Sequence, residues 1–332
     1  MDPISQGAVA AVVAQQPAKF KNILVVTVLG FLSGMAPDLD IFIRSSSDPL
    51  LTLEFHRQFT HSLLFIPIGG FVCGVFFYNL FAKRFGLNFL STYYICTLGY
   101  ATHGFLDACT SYGTQLLWPF SNDRISWNTI SIIDPVFTIP ILLLIVLYVY
   151  KKNKIFCRLA LAWIMLYILF GHVQHERAKN ILEDIAISRD HKIIRAEVKP
   201  SFGNIIVWKI IYSTKNSFYV DAVKLGYKTK FYEGSKIDKL SIKDAFPWLD
   251  YSSQQAKDID RFRWFSNEFI ALDEKFKNRI IDIRYSMLPN EIKGLWGIEL
   301  DELANSDSHV TYVFNRERNL DKIKKLFKMI KE

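Results

Sequence analysis

A chain of 332 residues that is 50% apolar and 15% aromatic can bury a large core, and at roughly 150 residues per domain it suggests about two domains. Only 11 of the 40 Lys and Arg and 8 of the 32 Asp and Glu precede residue 172, so the first half reads as membrane-like and the second as soluble-like. The net charge of +8 has no concentrated basic block, which excludes a nucleic-acid footprint, and Cys73, Cys96, Cys109 and Cys157 form neither a CxxC motif nor a disulfide framework.

The N-terminus lacks the basic region and small-residue cleavage site of a secretory signal, so the first span is expected to be retained. Residues 7–14 are apolar but too few to cross, and are expected to lie at the interface or re-enter. Five stretches read as helices in lipid, at about residues 22–36, 62–81, 89–109, 131–150 and 155–171, since a core of roughly 30 Å takes about 20 residues. Lys19 and Lys21, Lys83 and Arg84, and Lys151, Lys152, Lys154 and Arg158 alternate correctly for the cytoplasmic side. Five crossings then place residues 37–61, 110–130 and the C-terminal part outside. Gly30 with Gly34 and Gly70 with Gly74, spaced i,i+4, predict close helix packing, and Asp134 before Pro135 predicts a helix cap.

Six ionisable residues interrupt these apolar stretches near their predicted outer ends: Asp38 and Asp40, His56 and His61, and His103 and Asp107. Charge at that depth is costly and needs partners. His103 and Asp107, at i,i+4, share one helix face. Asp38 and Asp40, at i,i+2, would share one side of an extended segment. The spacing of His56 and His61 puts His56 in a loop and His61 in a first helical turn, with Thr60 as its N-cap. Imidazole with carboxylate is a ligand set for zinc, manganese or iron, so all six are candidate ligands of a divalent metal, with zinc as the expected ion and manganese or iron as alternatives. Because six exceed the four ligands of one tetrahedral ion, either two ions bind or some of the six act as bases or orient the others. Asp38, Asp40 and His61 are the candidate catalytic residues, with either Asp as base toward water activated by the ion. Arg57 and Arg124 are candidate substrate-binding residues, because a planar guanidinium fork suits phosphate.

The chain resembles the bacterial membrane-bound metal-dependent hydrolases, the YdjM-like inner-membrane proteins. The resemblance rests on residues 1–6, on Gly34 with Pro37-Asp38-Leu39-Asp40, on His56-Arg57 with Thr60-His61-Ser62, on His103, Asp107, Thr110 and Gly113, and on Trp118-Pro119-Phe120-Ser121. It continues through residues 204–208, 263–265 and 282–285. Members of that family often carry Thr-His near the start, where this chain has Ser5-Gln6. The resemblance implies hydrolase chemistry in a bacterial inner membrane; the count of crossings puts the C-terminal domain on its periplasmic side, and a site at headgroup depth makes membrane lipid the expected partner.

Residues 205–212, 218–223 and 279–284 are β-branched and aromatic and read as strands, and residues 320–331 carry apolar residues at helical spacing with Lys between. Trp208, Trp248, Trp264 and Trp296 are expected in the core. The expected architecture is an α-helical polytopic membrane domain of about five spans over residues 1–175, then a small α+β soluble domain over 176–332. The leading functional expectation is a metal-dependent hydrolase at the outer membrane-water boundary acting on a lipid or lipid-linked phosphoester. The alternatives are a non-catalytic membrane scaffold with a structural metal and a proton-coupled transporter.

Overall fold

The computed structural model of the chain describes residues 1–17, 22–315 and 320–331; Lys19 and Lys21 lie outside them. Helices come first: α1 (Pro3–Gln15), α2 (Ile23–Met35), α3 (Leu51–Phe55), α4 (Ile66–Leu80), α5 (Phe89–Ala108), α6 (Pro135–Lys151) and α7 (Lys154–Ser188). They are followed by β1 (Arg195–Pro200), β2 (Val207–Ser213), β3 (Ser217–Leu225), β4 (Thr229–Asp238), α8 (Ile242–Ala245), α9 (Gln254–Phe265), β5 (Ile270–Leu272), β6 (Arg279–Asp282), β7 (Trp296–Glu299), β8 (Thr311–Phe314) and α10 (Leu320–Lys331). The chain divides into two compact units, Met1–Phe42 with Phe55–Val173 and Phe202–Ile205, and Ile43–Glu54 with Gln174–Ser201 and Ile206–Glu332.

The first unit is helical. Among the described residues, Ile23–Phe42, Leu63–Leu80 and Lys154–Ser188 are long and apolar enough to cross a membrane, and α6 is a shorter apolar helix of 17 residues. The N-terminal apolar piece forms a buried helix, α1, which packs on α2, α5 and α6. Its composition explains this, because Gly7, Ala8, Ala10, Ala11 and Ala14 leave it small and without a polar face, and such a helix is stable only inside. Close approach to α2 depends on Gly30 and Gly34, where an added Cβ would overlap Ala14 and Ala10. Gly70 and Gly74 on α4 meet Thr97 and Tyr93 of α5 in the same way. Val25, Leu29, Cys73, Ile95, Cys96 and Tyr100 fill the space between α2, α4 and α5. Asp134 caps α6, accepting from the amides of Val136 at 3.1 Å and Phe137 at 3.3 Å, with Tyr167 Oη donating to its other oxygen at 2.7 Å.

The second unit carries two four-stranded antiparallel sheets, β1-β2-β3-β4 and β5-β6-β7-β8, each in sequence order. Ile211, Phe218 and Val220 of the first sheet meet Ile281 of the second, with Phe269 and Ile283 flanking its strands, in one apolar core. The strands expected from sequence correspond to β2, β3 and β6. The second sheet's β5, β7 and β8 run only three to four residues and β4 is largely exposed, so their hydrophobic signal is weak. Trp208 is fully buried, whereas Trp264 is 39% exposed and Trp248 and Trp296 are half-buried, so the core expectation for the tryptophans holds fully at Trp208 alone.

Candidate metal centre

Beyond α2 the chain tightens into a 3-10 turn, Ala36–Phe42, instead of extending as the sequence suggested. Pro37 holds a helical φ, which favours further coiling. At three residues per turn, positions i and i+2 point about 120° apart, so Asp38 and Asp40 diverge. Asp38 faces His61 and His103, while Asp40 turns to the His56–His61 segment.

Asp40 organises that segment. Its Oδ1 pairs with His56 Nδ1 at 2.7 Å, and its Oδ2 accepts from Thr60 Oγ1 at 2.7 Å and from the Arg57 amide at 3.1 Å. Thr60 is therefore not the expected N-cap: its hydroxyl is drawn to the stronger, charged acceptor, and no side chain caps the short 3-10 turn Phe59–His61. Tyr100 Oη of α5 donates to the Thr60 carbonyl at 2.8 Å, and the loop after α5 is tied in by Gln115 N to Arg57 O at 2.9 Å and Leu63 N to Leu116 O at 2.9 Å.

His103 and Asp107 project one helical turn apart from α5. His103 Nδ1 donates to the Gly34 carbonyl at 2.5 Å, and His61 Nδ1 donates to Thr60 Oγ1 at 2.9 Å, which in turn donates to Asp40. Both imidazoles thus keep Nε2 as a lone-pair donor. These two atoms lie 2.9 Å apart. Asp38 Oδ1 is 3.5 Å from His61 Nε2 and 3.3 Å from His103 Nε2, and Asp107 Oδ2 is 3.3 Å and 3.7 Å from the same pair. A tetrahedron with metal-ligand bonds of 2.0–2.1 Å has edges of about 3.3 Å, so four donors already stand near the corners of one. Two nitrogen lone pairs and two carboxylate oxygens aimed at one point repel unless a cation lies between them. Asp107 Oδ2 is buried without an aligned hydrogen-bond donor, since Arg57 Nε, at 2.9 Å, sits off the hydrogen-bonding line. The donor set fits a divalent ion.

The six sequence-predicted ligands thus fall into two overlapping groups. Asp38, His61, His103 and Asp107 each offer an atom within 4.8 Å of the others, and Asp38, Asp40 and His56 form a second set on the same criterion. The side chains of His61, His103 and Asp107 are fully buried, whereas Asp38 is 20% and His56 18% exposed, so the cluster opens on that side.

Arg57, at a left-handed φ of 66°, is buried: its Nη1 donates to Thr110 Oγ1 at 3.1 Å and its guanidinium lies 4.7 Å from the Tyr112 ring centroid. Arg124 lies 5.2 Å from the same ring and donates to the Gly113 carbonyl at 3.0 Å. Sequence reasoning missed Tyr112, which gathers Arg57, Arg124 and the edge of His56 at 5.7 Å; its signal is an aromatic residue in the polar loop directly after His103-x-x-x-Asp107. Gln6, at the position where the resemblance puts a family His, does reach the cluster, its Nε2 donating to Asp107 Oδ1 at 2.7 Å, whereas sequence reasoning missed the Met1 amino group, which contacts the same carboxylate.

A family model described as YdjM inner membrane protein matches residues 1–178, a range that holds every residue of this cluster. A relative from Bacillus subtilis (strain 168), described as uncharacterized protein YfhP, is 25% identical over 286 residues, covering 82% of this chain and 80% of its own. No solved structure matches significantly.

Proposed function

The chain belongs to the YdjM inner membrane protein family, and on that premise we propose that it is a metal-dependent hydrolase acting at the outer membrane-water boundary on a lipid or lipid-linked phosphoester. The observation that carries the reading is the set of buried His61, His103 and Asp107 with partly exposed Asp38, whose donor atoms converge at near-tetrahedral spacing and open to one side. In this reading the apolar stretches make five crossings, with Lys83, Arg84, Lys151, Lys152, Lys154 and Arg158 on the cytoplasmic side and the C-terminal unit on the periplasmic side.

His61, His103, Asp38 and Asp107 would hold a divalent ion, zinc by spacing and ligand type with manganese or iron as alternatives, which would supply Lewis acidity and activate water on the open side, where Asp38 would have to yield its position. The chain supplies orientation. Asp40 aligns His61 through Thr60 and also pairs with His56 Nδ1, so His56, partly exposed, can carry a proton at its other ring nitrogen. Asp38, the exposed ligand, borders the open side. Arg57 holds Asp107 in place, and with Arg124 it makes the Tyr112 side cationic, suited to the anionic group of a phosphoester.

Elemental analysis of the purified protein, with a screen for metal-dependent turnover of lipid phosphoesters, tests the reading. The expected result is bound ion and turnover, both lost in His61→Ala and His103→Ala while the protein stays inserted. Bound ion with no turnover of any lipid ester would favour the scaffold reading, and turnover of water-soluble substrates alone would overturn the lipid assignment.

A further inference from the structure

The helix α10 presents more apolar surface than the second unit covers. Leu326 and Met329 are buried against Val207, Ala222 and Leu288, with Ile330 and Tyr232 beside them, and Tyr232 Oη donates to the Met329 carbonyl at 3.2 Å. The adjoining strip is uncovered: Leu320 is 72%, Ile323 39% and Phe327 59% exposed, at the i, i+3, i+7 spacing of one face. Lys324, Lys328 and Lys331 run alongside it one residue further round, and Lys325 is exposed as well. The helix carries five lysines against the single acid Asp321. An exposed apolar strip bordered by lysine is the composition of a helix lying in the plane of an anionic membrane surface.

A second observation ties the same sheet to the polar end of α7. The apolar stretch of α7 ends where Gln174 and Arg177 begin its polar part, and a 35-residue helix is longer than the roughly 20 residues that cross a hydrocarbon core. Gln174 Nε2 donates to the Leu225 carbonyl at 2.8 Å and Arg177 Nη2 to the Gly226 carbonyl at 3.3 Å. These carbonyls belong to the β3-β4 turn, which presents Tyr227, fully exposed, beside Lys228. Tyrosine with lysine is a headgroup-level anchor. Tyr232, the contact of α10 on β4, is five residues from Tyr227, roughly 17 Å at the rise of a strand. The uncovered strip of α10 and the turn thus belong to the same end of the first sheet.

We propose that α10 and the β3-β4 turn dock on the surface of the membrane that anchors the chain, with anionic phospholipid headgroups bound by the lysines and Leu320, Ile323 and Phe327 dipping to the acyl boundary. This inference does not depend on the metal reading.

The test uses the full chain reconstituted in vesicles. All four native cysteines are buried, so Phe327→Cys can be labelled selectively with a polarity-sensitive fluorophore, with Leu303→Cys, at a 93% exposed position, as reference. In phosphatidylcholine vesicles containing phosphatidylglycerol, the label at 327 is expected to shift to the blue and be quenched by brominated lipid, and the label at 303 to do neither. Both signals should be lost at high salt and when Lys324, Lys325, Lys328 and Lys331 are all replaced by Glu. A label at 327 that stays unquenched in the anionic vesicles would overturn the proposal. So would a blue shift that is equal in pure phosphatidylcholine and grows with protein-to-lipid ratio, because a second copy of the chain would then be the cover.

Discussion

The replacement Gly104→Ala leaves every proposed ligand in place and should still weaken the metal site. Gly104 lies on α5 between His103 and Asp107, and an added Cβ there would overlap the His61 carbonyl oxygen and reach Leu116 Cδ2 at 3.0 Å. The first obstacle is backbone, so no rotamer change relieves it. The His61 turn would have to retreat on the order of 0.5 Å, against a tolerance of about 0.2 Å in metal-ligand distance. His61 Nε2 would then leave its place beside His103 Nε2, now 2.9 Å away. Loss of ligand orientation typically costs about 10–100-fold in metal affinity, and overpacking of this kind about 1–3 kcal/mol in stability. A competition titration of the detergent-purified protein against a chromophoric chelator reads the first quantity, and thermal unfolding of the metal-free protein reads the second. Wild-type affinity in a Gly104→Ala protein that is destabilised as expected would refute the idea that α5 fixes His61 for coordination.

Replacement of Asp40 by Asn keeps the shape of the side chain but removes the charge that orders His56, Thr60 and His61; ion content by elemental analysis should fall, with affinity about 10–100-fold weaker. In the second unit, burial pushes the Lys199 ammonium down to about 7, outweighing the help of Glu197 at 3.8 Å. The folded state therefore binds fewer protons than the unfolded chain between about pH 7 and its ordinary 10.5, so stability should rise with pH across that window and level off above it. Lys199→Met should stabilise the protein at pH 6 by up to about 5 kcal/mol, a gain that shrinks toward pH 10 in denaturant titrations followed by tryptophan fluorescence; an equal gain at both pH values would contradict the assignment. Asp134→Ala removes the α6 cap and the Tyr167 hydrogen bond, and should cost about 1–2 kcal/mol, visible as a lower Tm.

The residues of the cluster are legible in sequence because Asp and His are conspicuous inside apolar stretches, where each must find a partner. Their division of labour is not. Which way Asp40 points depends on a 3-10 turn after Met35, and nothing in Pro-Asp-Leu-Asp distinguishes that turn from an extended segment until Asp40 is seen accepting from Thr60. The Gly34 carbonyl that orients His103 is a backbone group, invisible to any reading of side chains. Gln6 reaches Asp107 only because α1 is buried, and a 13-residue apolar helix preceding the first long span carries no mark of where it will lie. In the second unit β2 and β3 announce themselves through alternating β-branched and aromatic residues. The short strands of the second sheet are fixed by pairing with their neighbours, which local sequence does not encode.

The position of α1 imposes an order on biogenesis. It precedes α2 in the chain, yet its neighbours in the finished unit include α5 and α6, whose chains emerge some 75 to 135 residues later. Until then its Gly and Ala surface has α2 alone to pack against, and Gln6 has no Asp107 to meet. A helix made before α2 is thus seated only after α5 and α6 have emerged, so formation of the early helices and closure of the acid-histidine cluster are separate events for a nascent chain. A ribosome stalled before residue 107 would hold a chain that still lacks part of the acid-histidine cluster.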